Sequence, residues 1–202
     1  MSEIRAVVFD FGNVLANVDR LRICSRLAEH SPLPAQEVCA RIYGTDIELD
    51  SETGKCDSRG HFDRIKERIQ GNGSWTYEEF REEFKEGFSL NPEGMEALRL
   101  AARDKRVFIL SNIPYLHSLW LYEQEELATL PEQHIFSFKV GVMKPDPGIW
   151  RALLERAVLR PEQCLYIDDL EPFCLVARGL GFRALRYRKG ETDLVGELQK
   201  WL

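Results

Sequence analysis

Three short apolar runs restrict this chain to few architectures: Val7-Val8-Phe9, Val107-Phe108-Ile109-Leu110 and Cys164-Leu165-Tyr166-Ile167. Each closes on polar residues, Asp10 in the first, Ser111-Asn112 in the second and Asp168-Asp169 in the third. Short runs of β-branched and aromatic residues bounded by turn formers read as strands. Strands that are apolar throughout belong to a parallel sheet covered on both faces. Helical patterns alternate with them. One passes through Met95, Leu98 and Ala102, short pieces follow from Leu116 to Leu130, and another carries Ile149, Trp150, Leu153, Leu154 and Ala157 inward. A short run at Ile135-Phe136-Ser137-Phe138, a helix through Val176 and Leu180, a strand near Ala184 to Tyr187 and a C-terminal helix ending at Trp201-Leu202 complete the alternation. The expected fold is α/β, a Rossmann-like parallel sheet flanked by helices.

From about Asn17 to Leu90 strand character is lost. Leu21, Cys24, Leu27 and Ala28 share one helical face, and Phe62, Ile65 and Ile69 share another. Tyr77, Phe80, Phe84 and Phe88 form an aromatic stripe at helical spacing, opened by a Thr76-x-x-Glu79 capping box. Glycines at 44, 54, 60, 71 and 73 divide the segment into roughly four helices. The expected organisation is a Rossmann-like core of residues 1–16 and 91–202, with an all-α cap inserted at residues 17–90.

The net charge of −6, with no basic stripe interleaved with aromatics, excludes nucleic acid as an expected partner. No stretch approaches the ~18 continuous apolar residues of a membrane span. The N-terminus runs directly into the first strand and leaves no room for a signal peptide, so the expected compartment is cytoplasmic. The five cysteines, 24, 39, 56, 164 and 174, are odd in number and without CxxC spacing. That pattern predicts buried or free thiols in a reducing cytosol and no zinc site.

Parallel strands present their C-terminal ends on one edge, where ligands of open α/β sheets bind. Asp10, Ser111, Asn112, Asp168 and Asp169 are therefore expected to converge. Lys144, in Gly141-Val142-Met143-Lys144-Pro145-Asp146-Pro147, joins them. Pro145 biases it toward extended backbone, while Asp146 and Pro147 suit an N-cap and a first helical position. Two adjacent carboxylates closing a buried strand repel unless a cation or hydrogen-bond donors offset them. Hard oxygen ligands of this kind suit Mg²⁺. Carboxylate, hydroxyl–amide pair, lysine and acidic pair together are equipment for transferring an anionic group, most simply a phosphoryl group, with an aspartate nucleophile dividing hydrolysis into two steps.

The order Asp10-x-Gly12-Asn13-Val14, Ser111-Asn112, Lys144-Pro145, Asp168-Asp169 resembles the four motifs of the haloacid dehalogenase superfamily. The insertion after the first motif is similar to its C1-type cap. The Phe9-to-Leu15 form and the stretch from Leu110 to His117 resemble the glucose-1-phosphate phosphatase-like branch. The resemblance implies that Asp10 is nucleophile and metal ligand, and that Ser111 and Asn112 hold the phosphoryl group. It implies that Lys144 pairs with nucleophile and phosphate, that Asp169 is the principal metal carboxylate with Asp168 as ligand or support, and that the Gly12 carbonyl coordinates. Two positions depart from the pattern. Gly12 stands where most phosphatases of the superfamily carry an acid that protonates the leaving group, with Asp19 and His117 as candidate substitutes. Phe173 stands near where relatives often carry an asparagine.

The expected activity is that of a Mg²⁺-dependent phosphatase of a small phosphorylated metabolite, a sugar phosphate first, acting through an aspartyl-phosphate. The alternatives are a weak or inactive pseudo-phosphatase that binds a phosphorylated ligand or protein, and a haloacid dehalogenase, for which Gly12 is no handicap. No sequence feature specifies the oligomeric state.

Overall fold

In the computed structural model, which describes residues 3–202, the first apolar run is strand β1, Ala6–Phe9. A short strand β2 (Ala16–Val18) leads into five helices: α1 (Arg20–Ala28), α2 (Ala35–Ile42), α3 (Asp46–Glu52), α4 (Ser58–Arg68) and α5 (Tyr77–Lys85). Strand β3 (Phe88–Leu90) returns the chain to helix α6 (Pro92–Asp104) and strand β4 (Arg106–Ser111). Helices α7 (Tyr115–Glu123) and α8 (Glu125–Thr129), strand β5 (Gln133–Phe136) and helices α9 (Ser137–Val140) and α10 (Gly148–Ala157) follow. Strand β6 (Cys164–Asp168), helix α11 (Glu171–Gly179), strand β7 (Arg183–Arg186) and helix α12 (Leu194–Gln199) close the fold.

The sheet is parallel throughout, in the order β5-β4-β1-β6-β7. Phe9 is level with Ile109 on one side and Ile167 on the other, so Asp10, Ser111 and Asp168 emerge at the same edge. Side chains alternate between the two faces, as the pleat requires. Val7, Phe9, Ile109 and Ile167 pack with Met95 and Leu98 of α6 and with Leu194 and Leu198 of α12. Val8, Phe108, Leu110 and Tyr166 pack on the other face with Ile149, Trp150 and Leu153 of α10. Both faces are thus closed, which is why these strands tolerate no polar residue before their ends.

The helices between β2 and β3 have an apolar cluster of their own, including Ile23, Ile65, Ile69, Trp75, Phe80 and Phe84. Here the sequence reading needs three corrections. There are five helices rather than about four. The segment begins and ends in an antiparallel pair, with Val18 opposite Phe88, so Phe88 belongs to a strand rather than to the helical stripe. Three-residue strands are too short to show a period, and Phe88 falls in phase with the helix before it. The third correction concerns the thiols. Cys24 on α1 and Cys39 on α2 form a disulfide with their Cα atoms 5.5 Å apart, because the two packed helices turn these positions toward each other. Cys56, Cys164 and Cys174 are free.

Candidate active site

Asp10 continues the ladder beyond β1, its N–H donating to the Ile167 carbonyl at 2.8 Å. The chain then folds back tightly. The N–H groups of Leu15 and Ala16 both donate to the Phe11 carbonyl, and Asn13 takes the left-handed conformation (φ 58°). Asparagine is among the few side chains that suit it. From there Asn13 Nδ2 donates to Asp169 Oδ2 at 3.2 Å, joining the first motif to the last. The turn is held from behind by Asn91, whose Nδ2 donates to the Val14 carbonyl at 2.7 Å. Gly94 permits this contact, since a Cβ there would lie 1.9 Å from that same carbonyl oxygen.

Lys144 reaches the edge from the loop before α10 and is 2% exposed. Its backbone is clasped by Asn112: the Lys144 N–H donates to Asn112 Oδ1 at 2.7 Å, and Asn112 Nδ2 donates to the Lys144 carbonyl at 2.9 Å. The Asn112 side chain therefore fixes the lysine, leaving Ser111, buried at the end of β4, as the hydroxyl of that pair. The ammonium donates to Asp10 Oδ1 at 2.8 Å, Asp168 Oδ2 at 2.7 Å and the Tyr166 hydroxyl at 3.1 Å, which uses all three of its protons. The Phe173 ring centroid lies 4.9 Å from the same nitrogen. Phe173 thus offers an aromatic face to the cation. Downstream, Asp146 accepts from the Gly148 N–H at 2.7 Å, while α10 opens at Gly148 behind Pro147, one residue later than the sequence suggests.

Burial sets the electrostatics. It pushes the Asp10 carboxyl up to about 7, against the pull of Lys144 and with the help of Asp168. Burial also draws the Lys144 ammonium down, but Asp10 and Asp168 more than offset this and hold it above its ordinary value. Asp168 is fully buried, with Oδ1 accepting from the Leu170 N–H and Oδ2 from Lys144 and Tyr166. Asp169 is half-buried, and burial together with Asp168 raises its carboxyl.

One oxygen from each of Asp10, Asp168 and Asp169 lies within 4.8 Å of the others. When ionised, three carboxylates against one ammonium leave two excess negative charges. A divalent cation is the complement such a group calls for, and oxygen donors suit a hard one. Asp168 already has its oxygens occupied, so Asp10 and Asp169 are the freer ligands. At Gly12 an added Cβ would meet only Val18, at an ordinary 3.6 Å. The missing acid is therefore a matter of chemistry rather than of space.

Neither candidate substitute for that acid fits. Asp19 caps α1, accepting from the Arg22 N–H at 2.9 Å. His117 stacks on Phe84 with ring centroids 5.0 Å apart, and burial pulls its imidazole down to about 3, so it is neutral. Sequence reading missed Tyr166, which looked like one more apolar strand residue, and assigned no role to Asn13 within the first motif. Tyr166 lies two residues before Asp168, and that i, i+2 spacing on a strand was the available signal.

Residues 4–172 match the family model of the haloacid dehalogenase-like hydrolases. A phosphatase of Mycobacterium tuberculosis, MT3486, is 29% identical over 198 residues, covering 94% of this chain and 90% of its own. The D-ribitol-5-phosphate phosphatase of Bacteroides thetaiotaomicron is 23% identical over 195 residues, covering 93% of each. Among solved structures, the family enzyme BT-2542 of B. thetaiotaomicron, in complex with magnesium and inorganic phosphate, is similar with a TM-score of 0.82 and 23% identity, over 94% of this chain and 96% of that one.

Proposed function

The chain belongs to the haloacid dehalogenase-like hydrolases, and from that premise we propose that it is a Mg²⁺-dependent phosphatase of a small phosphorylated metabolite, with sugar and polyol phosphates the leading class. The observation that carries the reading is the junction of Lys144 with Asp10 and Asp168 beside Asp169, a buried site with two negative charges in excess. Asp10 and Asp169, with the Gly12 carbonyl, would hold the ion, and Asp168 supports it from behind. When bound, the ion offsets the carboxylate charge and that of the phosphoryl oxygens.

In this reading a carboxylate oxygen of Asp10 attacks phosphorus and forms an aspartyl-phosphate, which water then hydrolyses. Lys144, locked by Asn112 and faced by Phe173, holds the Asp10 carboxylate in place and neutralises charge on the phosphoryl oxygens. The Ser111 hydroxyl, at the same sheet edge, takes a further phosphoryl oxygen. Residues 17–90 act as a cap that covers the edge, excludes water and selects the leaving group. The D-ribitol-5-phosphate phosphatase among the relatives supports a polyhydroxylated leaving group.

Dehalogenation is less favoured, because an acidic pair beside a third carboxylate has no part in halide displacement. The binding-only reading draws on Gly12 and Phe173; Phe173 here faces the lysine, which leaves Gly12 as its support. The test is phosphate release from p-nitrophenyl phosphate and a sugar- and polyol-phosphate panel, with and without Mg²⁺. Turnover that needs Mg²⁺ supports the reading; chloride release from 2-chloropropionate with no phosphatase activity overturns it.

A further inference from the structure

Helix α3 ends at Glu52. In the fold it is 8% exposed and makes no hydrogen bond or ion pair among the described residues. Its neighbour one turn back, Glu48, is fully engaged, accepting from Arg20 at 2.9 Å and from the Gly44 N–H at 2.7 Å. Glu52 instead lines a narrow cleft of about 10 Å³, room for about one water, between α3, α4 and the start of α7.

The cleft collects unpaired polar atoms. The Tyr43 hydroxyl, His61 Nε2 and His117 Nε2 are all buried without a partner, and all three residues line it. Buried polar groups are ordinarily hydrogen-bonded, so three orphans around one unpaired carboxyl mark a surface shaped for something polar. Pro114, two residues beyond Asn112, forms part of the same wall and places the cleft beside the exit of β4. The chain just past α3 is seated against α9. Gly54 packs against the backbone of α9, where a Cβ would lie 2.2 Å from the Phe138 carbonyl oxygen. Burial and the fixed charge of Glu48 hold the Glu52 carboxyl up to about 7, with Arg20 and Lys144 opposing and Asp10 adding to the shift.

We infer that Glu52 donates the proton to the leaving-group oxygen, the part for which Gly12 supplies no side chain. This inference rests on the phosphatase reading. As an Asp10 oxygen bonds to phosphorus and the bond from phosphorus to the leaving oxygen breaks, the Glu52 proton passes to that oxygen. An alcohol departs and Glu52 is left as a carboxylate. Water then adds to phosphorus, one of its protons returns to Glu52, and the bond to Asp10 breaks to release phosphate.

The test is kcat/KM, which reports the leaving-group step, for Glu52→Gln and the wild type on a sugar phosphate and on phenyl phosphates of graded leaving-group pKa. A cooperative melt checks that the variant folds, and Glu52→Asp, which keeps a carboxyl, is expected to recover part of the loss. The expected loss is about 10²–10⁴-fold on the sugar phosphate and much less on p-nitrophenyl phosphate, so the dependence on leaving-group pKa steepens. A parallel loss on all substrates, or no loss, overturns the inference. If wild-type turnover vanishes in Asp10→Asn but the slope in Glu52→Gln is unchanged, the phosphatase reading stands and Glu52 alone is removed. If the wild type turns over nothing, both fall.

Discussion

Lys144 Nζ lies 2.8 Å from Asp10 Oδ1, joining residues 134 positions apart at the one sheet edge where both are closed to solvent. The lysine also offsets Asp168, so its loss leaves two buried carboxylates facing each other. Removing one partner of a buried pair typically costs about 3–5 kcal/mol. Lys144→Met is expected to lose that order of stability in urea denaturation and to be inactive. Adding Asp168→Asn to it is expected to restore part of the stability, because one of the two stranded carboxylates is then gone. A double variant no more stable than the single one contradicts this account of the pair.

The excess negative charge makes a second measurement direct. An ion that binds only the folded chain stabilises it by about 2.7 kcal/mol at roughly a hundred times its Kd. Thermal melts with Mg²⁺ are expected to shift upward, and Asp169→Asn to abolish the shift. An equal shift in both proteins means that the ion binds elsewhere.

Phe173 faces the same ammonium. Phe173→Leu keeps an apolar side chain but removes the ring face, with an expected loss of about 0.5–2 kcal/mol in chemical denaturation. Combined with Lys144→Met, its effect is expected to shrink, since the cation is no longer there. Full additivity assigns Phe173 to packing alone.

The sheet and the four motif positions were legible because apolar runs ending in polar residues can be seen one strand at a time. Asp10, Ser111 and Asp168 share one edge because parallel strands share an exit, and Lys144 joins them from the loop before α10, held there by Asn112. The partner of each group was not legible. The clasp of the Asn112 side-chain amide on the Lys144 backbone has no sequence signal, since the two residues lie 32 positions apart. Nothing in the sequence singles out Glu52, because part of the cleft it lines comes from Pro114 and His117, distant in sequence. The disulfide escaped for a related reason, since Cys24 and Cys39 face each other only once α1 and α2 pack.

The buried histidines give a signed pH dependence. Burial, with Arg64 adding, pulls His61 from its ordinary 6.5 down to about 4. Below pH 6.5 the unfolded chain takes up a proton that the fold refuses, so stability falls with pH down to about 4. The slope is about 1.4 kcal/mol per pH unit. Glu52, raised from 4.5 to about 7, works the other way, its contribution being lost as pH rises through that window. The comparison is therefore between proteins that differ at one site. On acidification from pH 6.5 toward 5 the wild type is expected to lose stability relative to His61→Gln at that slope. Parallel pH curves contradict a neutral His61.

The most direct test of the central claim is phosphate release from p-nitrophenyl phosphate and a sugar-phosphate panel, measured with and without Mg²⁺ for the wild type and Asp10→Asn. The expected result is turnover that requires Mg²⁺ and disappears in Asp10→Asn while the variant remains folded. Turnover that survives Asp10→Asn, or a folded wild type that binds Mg²⁺ yet releases no phosphate from any member of the panel, contradicts it.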